Sequence, residues 1–482
     1  MVLIIRALMK KNIAAIAIHL VLILLLNIVV GAFSGTKETE GSVKFTGELE
    51  RNVTIRILEN DTAVKQGYMK RLLDAFNEAY AEYGIVAVDA NMDEYSDLEN
   101  DGPYGYGPDV LYQANDRLMR YVDGKHIQPI PVEQLDCYAQ VGANAWSAYE
   151  SEYGGETYTF GVPVNVQGPL LYYRKDLLPE NWQEEWDDDK NGIPDMVENW
   201  NDMYKFSMER RDLSNEKFGY MKSLFDPYFA VGYLYSYGAY SFGNNNRDPM
   251  DIGYSNGNAE LGASVIRQLA GAMNEWCIDD TITVNAYSRL AKGDYFATMT
   301  TPDVYTMFID EMVNAGMTRE EAVENLVVTS IPKLPASGDL TEEDPELIDS
   351  KMMGGVNGYA ISSYTKAPNA CLAFINFATT FEMIELRNEM LGIVPARQDV
   401  AQKVGGLSVV INENLEKGNI VIMPSIKENA QMWTPLQTVF TDLAKDPYRQ
   451  KSEMKYDSLQ AIKEALEKVD KQIYDAIFTL QG

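Results

Sequence analysis

A chain of 482 residues with 46% hydrophobic side chains is long enough for two cores and too apolar for disorder throughout. Its 41 basic and 71 acidic residues leave a net charge of −30, the wrong sign for a protein that works by neutralising nucleic-acid phosphates. Three widely spaced cysteines, Cys137, Cys277 and Cys371, suggest neither a disulfide framework nor a zinc site, and of the two histidines only His126 lies outside the hydrophobic leader, in what reads as a surface turn.

Arg6, Lys10 and Lys11 precede an almost uncharged run over 12–33, closed by small residues around Gly31, Ala32 and Ser34. Residues 1–33 therefore read as a signal peptide or, since the run approaches the ~20 residues that span a bilayer, an uncleaved N-terminal anchor. Positive charge before the run places the remainder outside the cell membrane. Residues 34–49 are polar and rich in Gly, Ser, Thr and Glu, as a tether would be.

The folded part starts next. A β-rich run over 53–58 is followed by Met69, Leu72, Leu73, Phe76, Tyr80 and Tyr83 at helical spacing, a stop at Gly84 and a second strand over 85–88. Strand, helix, strand implies a parallel βαβ unit. Helices are expected at 259–276, 372–378 and 198–208, and a C-terminal one carries Leu459, Ile462, Leu466, Val469, Ile473 and Ile477 on one stripe. The tyrosines at 233, 235, 237 and 240 either line a cleft or pack in a core.

Residues 187–198, DDDKNGIPDMVE, fit the twelve-residue calcium loop D-x-[DN]-x-[DN]-G-x₅-E at every specified position. Calcium takes six to eight oxygens, and the template draws them from Asp187, Asp189, Asn191, the Ile193 carbonyl, Asp195 and both oxygens of Glu198. Gly192 permits the turn in the middle. The expected ion is structural.

The string GPDVLYQANDRLMRYVDG from Gly107 is where the chain first resembles a known family: exported carbohydrate-binding proteins of ABC importers, of the maltose and maltodextrin-binding type. The resemblance continues in order through FGVPVNVQGPLLYYRKDLLP, DPYFAVGYLYSYGAYSFG, LAKGDYFATMTTPDVY, GGVNGYAISS and the Trp433 region. It implies an α/β, two-lobe periplasmic-binding-protein-like fold (type II), each lobe a mostly parallel sheet flanked by helices, joined by hinge strands. By position, 50–165 plus 358–402 form one lobe and 166–357 plus 403–482 the other, with hinges near 164–167, near 356–359 and after Val400. The calcium loop then reads as an insertion in the second lobe.

A neutral sugar offers apolar C–H faces and a ring of hydroxyls, so its binder needs aromatic surfaces and planar polar groups. The resemblance carries five residues over: Asp116 and Arg117 as a polar pair, Asp226 and Tyr228 from the opposite lobe, and Trp433 as a platform. It also places Gln113 and Asp303 where the type has tryptophans, Gln167 where it has a hinge glutamate, and Gln437 where it has an arginine, with Tyr305 two residues past Asp303. A shorter or differently linked sugar than a long α-glucan is implied.

The expected function is that of an extracytoplasmic substrate-binding protein, a monomer that captures a sugar or oligosaccharide between its lobes and delivers it to ABC transporter permease subunits. The N-terminal segment would hold it to the membrane if uncleaved. A secreted glycoside-acting enzyme is the alternative, with Asp116 and Asp226 as a conceivable carboxylate pair, and a ligand sensor for a membrane receptor is a third. No Walker A, GxSxG, HExxH or helix-opening GxGxxG string occurs, so the chain is expected not to be an enzyme.

Overall fold

The computed structural model describes residues 45–153, 155–278 and 288–481. The expected leader and all but the last residues of the tether lie outside them. Among the described residues no helix is long and apolar enough to cross a membrane. The end of the tether docks on the fold: Gly47 N–H donates to Asn369, and the Glu50 carboxylate accepts from the backbone N–H groups of Asn369 and Ala370 at 3.1 and 2.7 Å. A carboxylate there satisfies donors that a helix leaves open at its N-terminus.

The expected βαβ unit is present. Strand β1 (Thr54–Leu58), helix α1 (Tyr68–Ala79) and β2 (Val86–Asp89) lead to β3 (Val110–Ala114), with both β2 and β3 parallel to β1. Helix α1 stops at Ala79, earlier than the apolar spacing suggests. Tyr83 falls in a 3-10 turn that closes on Gly84, whose φ of +68° suits a residue without a Cβ. Helix α2 (Asn115–Asp123) follows β3 directly, and β4 (Ile127–Gln128) comes after the turn that holds His126.

Strand β5 (Val162–Gln167) leads within three residues to β6 (Leu170–Arg174) in a second sheet. That sheet runs in the order β9 (Leu326–Thr329), β6, β8 (Tyr295–Thr300), β7 (Phe218–Tyr220) among the described residues. It is mixed rather than mostly parallel: β6 is antiparallel to both neighbours, and only β7 and β8 run together.

Helices around this sheet include α3 (Trp200–Arg210), α4 (Pro227–Ser236) and α5 (Ala259–Ala272), the last four residues shorter than expected. Strand β10 (Met352–Ser362) then returns to the first sheet. It pairs antiparallel with β3, β4 and β5, and its first residues pair parallel with β11 (Ile420–Ile422). Helix α4 lies so close to the start of β10 that a Cβ on Gly232 would meet the Lys351 carbonyl at 2.5 Å. Helices α6 (Pro368–Ala378) and α7 (Phe381–Leu391) return to the first lobe; Phe374 of α6 packs edge-on against Phe76 of α1 at 5.1 Å.

The chain then runs through Val394 and Ala396, which exchange backbone hydrogen bonds with β5, into α8 (Leu407–Glu416), α9 (Trp433–Lys445) and α10 (Leu459–Gln481). On α10 the expected stripe is buried from Ile462 to Ile477, while Leu459 at the helix start is exposed. Tyr233, Tyr235 and Tyr237 pack inside: each is under one-tenth exposed, and the Tyr237 hydroxyl donates to the Pro335 carbonyl at 2.5 Å.

Candidate functional site

Strands β1, β2 and β3 point the same way, so the loops that follow them meet at one edge of the first sheet, the edge where open α/β sheets bind ligands. Asn115, Asp116 and Arg117 sit there, at the start of α2. Asn115, fully buried, ties three segments together. Its amide N–H groups donate to the Met423 carbonyl at 3.0 Å and to Ser425 Oγ at 2.6 Å, and its oxygen accepts from Val356 N–H at 3.1 Å. The sequence reading passed over it, although it stands in the same triplet as the polar pair.

Burial pushes the half-buried Asp116 carboxyl up, against the Arg117 N–H and the charges of Arg117 and Arg120, which hold it down. The Arg117 guanidinium does not fork freely into the cleft. It lies 4.7 Å from the Tyr95 ring centroid and donates at 3.4 Å to the Tyr95 carbonyl, and its Nε is buried without a partner. Gln113, on β3, donates its amide to the Glu94 carbonyl at 2.7 Å while its Oε1 is buried and unpartnered.

Across from this edge, Asp226 caps α4. Its carboxylate accepts from Tyr228 N–H at 3.0 Å, which places an acidic group at the positive end of the helix. Burial raises the Tyr228 hydroxyl well above its usual range, and Asp303, Asp226 and Asp116 raise it further, in that order. Asp116 belongs to the first sheet's edge, Asp226 to α4 and Asp303 to the short turn before Tyr305, so charges carried by three separate segments act on one phenol. Asp303 is exposed; Tyr305, half-buried, opens the next helix, and burial raises its hydroxyl. Trp433, half-buried, opens α9, with Gln437 exposed one turn on; Gln167 is half-buried at the end of β5. Tyr305 and Trp433 pack against the core, and for Gln437 and Gln167 the structure gives place alone.

The acidic loop at 187–198 has the bends its template asks for. Gly192 has φ +82° and its N–H donates to the Asp187 carboxylate at 3.2 Å; Asn191 N–H donates to Asp189 and Ile193 N–H to Asn191. The Asn191 amide N–H group lies at 3.1 Å from both Asp189 and Glu198, standing between two carboxylates. Burial raises the Glu198 carboxyl, Asn191 opposes this, and Asp189 and Asp187 raise it again; burial likewise raises Asp195, which accepts from Asp188 N–H. No group of three His, Cys, Asp or Glu is drawn together tightly enough to hold a metal among the described residues. The helix expected after the loop starts at Trp200.

Residues 71–416 match the bacterial extracellular solute-binding protein family. The chain belongs to that family. It is 26% identical over 373 residues to the galactooligosaccharide-binding protein of Bacillus subtilis, covering 73% of this chain and 77% of that one. It is 22% identical over 422 residues to the maltodextrin-binding protein MdxE of the same organism, covering 85% and 82%. In fold it resembles the maltose-binding protein MalE of Listeria monocytogenes in complex with maltose, at TM-score 0.68 and 20% identity over 88% of this chain and 98% of that one. A cyclo/maltodextrin-binding protein complexed with maltotetraose gives TM-score 0.69, 20% identity and coverage of 89% and 98%. These structures establish the two-lobe fold.

One buried cation of this solute-binding protein escaped the sequence reading altogether. Lys222, two residues past β7, is 8% exposed and holds its Nζ 3.3 Å from the Phe229 ring centroid. Burial lowers its ammonium to about 7, against the pull of Asp226, which raises it. The folded state thus favours the neutral amine, while the unfolded chain keeps its proton up to the ordinary 10.5. Between those values the unfolded state binds more protons, so this group makes stability rise with pH across the window. Lys222→Met is expected to be more stable than the parent protein at pH 6, by on the order of 3 kcal/mol, with the gap closing toward pH 10. Urea unfolding at a series of pH values checks this; a gap independent of pH contradicts it.

Proposed function

We propose that this protein captures a neutral oligosaccharide between its lobes and presents it to the permease subunits of an ABC importer. What supports the reading is that the charges of Asp116, Asp226 and Asp303, carried by three separate segments, all act on the Tyr228 hydroxyl, while Tyr228 N–H donates to Asp226 at 3.0 Å. Carboxylates accept sugar hydroxyls, tyrosine offers a flat apolar face, and a water-shielded cleft between lobes strengthens both. The names of the two Bacillus relatives, one for galactooligosaccharides and one for maltodextrins, support the ligand class. Trp433, Tyr305 and Gln113 add surface and polar reach; Arg117, Gln167 and Gln437 complete the proposed ligand set.

In this reading the lobes are 50–165 plus 358–402 and 166–357 plus 403–482. The protein acts as a monomer outside the cell membrane, tethered by residues 1–49 if the leader is kept. The family is one of solute-binding proteins, which favours capture over turnover. Calorimetric titration with maltotriose, longer maltodextrins and galactooligosaccharides tests the proposal. Saturable binding of one of these with no product released supports it; the absence of binding across the set, or sugar cleaved with turnover, overturns it.

The loop at 187–198 is proposed as a structural calcium site. Asp187, Asp189, Asn191, Asp195 and Glu198 supply side-chain oxygens of the hard type calcium prefers, and Ile193 a carbonyl. Supporting it are the mutual repulsion of Asp187, Asp189 and Glu198 and the partly positive amide of Asn191 set between two of them. Calcium at a few times its dissociation constant is expected to add about 1 kcal/mol of stability. Differential scanning calorimetry of calcium-loaded and chelator-treated protein reads this as a rise of melting temperature, which Glu198→Gln removes. A rise that survives Glu198→Gln places the ion elsewhere.

A further inference from the structure

We propose that Tyr95 is an aromatic floor of the cleft, taking the apolar face of a neutral pyranose ring; this rests on the sugar-binding reading above. Tyr95 lies in the loop after β2, at the same edge of the first sheet as Asp116 and Arg117. It is 62% exposed, a large ring held in the open.

The loop that carries the ring is held at several points, and the ring itself by one. The Arg117 guanidinium covers it at 4.7 Å, and Arg117 also donates to its carbonyl. The preceding residue, Glu94, accepts from the Gln113 amide at 2.7 Å through its carbonyl and from Asp61 N–H at 2.7 Å through its carboxylate. Tyr95 N–H donates to Asp93 at 2.8 Å. A ring anchored in this way loses little freedom when a guest stacks on it, which is the condition for an aromatic platform to contribute affinity.

Independent of exposure is a pair of polar atoms on the two residues that hold this loop. Gln113 Oε1, on a side chain 7% exposed, and Arg117 Nε are both buried with no hydrogen-bond partner among the described residues. One accepts and the other donates; the Arg117 guanidinium lies against the ring, and Gln113 holds the carbonyl of the residue before it. Both atoms lie beneath the surface, so a sugar hydroxyl gives a proton to the first or accepts one from the second only once these side chains shift, while the C–H face of its ring lies on the tyrosine. Two other exposed tyrosines, Tyr104 and Tyr106, have no hydrogen bond or cation–π contact with Gln113 or Arg117 among the described residues, and they serve as controls. The surrounding charges, Glu94 and Asp116 against Arg117, leave no excess positive charge for an anion and favour an uncharged guest.

The test is calorimetric titration of the full chain and of Tyr95→Ala, Tyr95→Phe and Tyr104→Ala with the maltodextrin or galactooligosaccharide that binds the unaltered protein best. Tyr95→Ala is expected to weaken binding at least tenfold, equal to about 1.4 kcal/mol. Tyr95→Phe, which keeps the ring, should stay within twofold, as should Tyr104→Ala. Melting temperatures should stay unchanged, because the ring is exposed. Tyr95→Ala binding as tightly as the parent overturns the inference and leaves the sugar-binding reading intact. Tyr95→Phe binding as weakly as Tyr95→Ala also overturns it, because the hydroxyl and not the face would then be responsible. If no sugar binds the unaltered protein, both readings fall together.

Discussion

Asp226→Asn is expected to weaken oligosaccharide binding by roughly 10- to 100-fold without lowering the melting temperature by more than a degree or two. The two effects separate because the residue has two tasks. As the N-cap of α4 it accepts from Tyr228 N–H, and asparagine serves that task as well as aspartate does. As a ligand group it would offer an ionised carboxylate to sugar hydroxyls, and hydrogen bonds to charged acceptors contribute about 1.5–3 kcal/mol, twice the neutral value. The substitution also removes the charge that acts on Lys222. Titration and thermal melting of one preparation read both quantities. Full affinity in Asp226→Asn would exclude the carboxylate from the site, and a large fall in melting temperature would make its role structural.

Arg387→Ala is expected to cost about 3–5 kcal/mol of stability. Arg387, on α7, is 1% exposed and donates to both oxygens of Glu59 at 2.7 and 3.0 Å. Its guanidinium also lies 4.0 Å from the Tyr112 ring centroid and 4.8 Å from that of Tyr68, and the Tyr359 hydroxyl bonds to Glu59. Removing the cation strands a carboxylate that is 3% exposed at the end of β1. The loss comes from that stranded charge more than from the missing bond. Glu59→Leu combined with Arg387→Met should therefore recover most of the stability, since neither charge is then left alone. Urea unfolding of the single and double variants distinguishes the outcomes; a double variant as unstable as the single one would place the loss in packing.

What the sequence made legible was local or ordered along the chain. The opening βαβ unit, the α10 stripe and the bends of the acidic loop all follow from spacings within a few turns, and the structure contains each of them. The two-lobe fold was legible through six strings in the right order. Features that depend on distant partners were not. Arg387 and Glu59 are 328 positions apart, and Asn115 reaches Met423 across 308. Lys222 reads as a surface lysine until β7, α4 and Phe229 enclose it. Tyr95 stands in an acidic loop with no periodicity to mark it. The mixed order of the second sheet was missed for the same reason: the direction of β6 beside β8 and β9 is settled by pairing with strands far along the chain, and its own composition is the same either way.

The central claim is that two lobes close on a sugar, and small-angle scattering measures it most directly. An open form without ligand and a closed form with it follow if the guest bridges Asp116 on one side to Asp226 and Tyr228 on the other, because cross-cleft contacts then favour the compact state. Adding the best-binding oligosaccharide at saturation is expected to reduce the radius of gyration by about 1 Å from a starting value near that of a chain this size. An unchanged radius at saturation, with binding shown by calorimetry in the same buffer, would contradict the clamp.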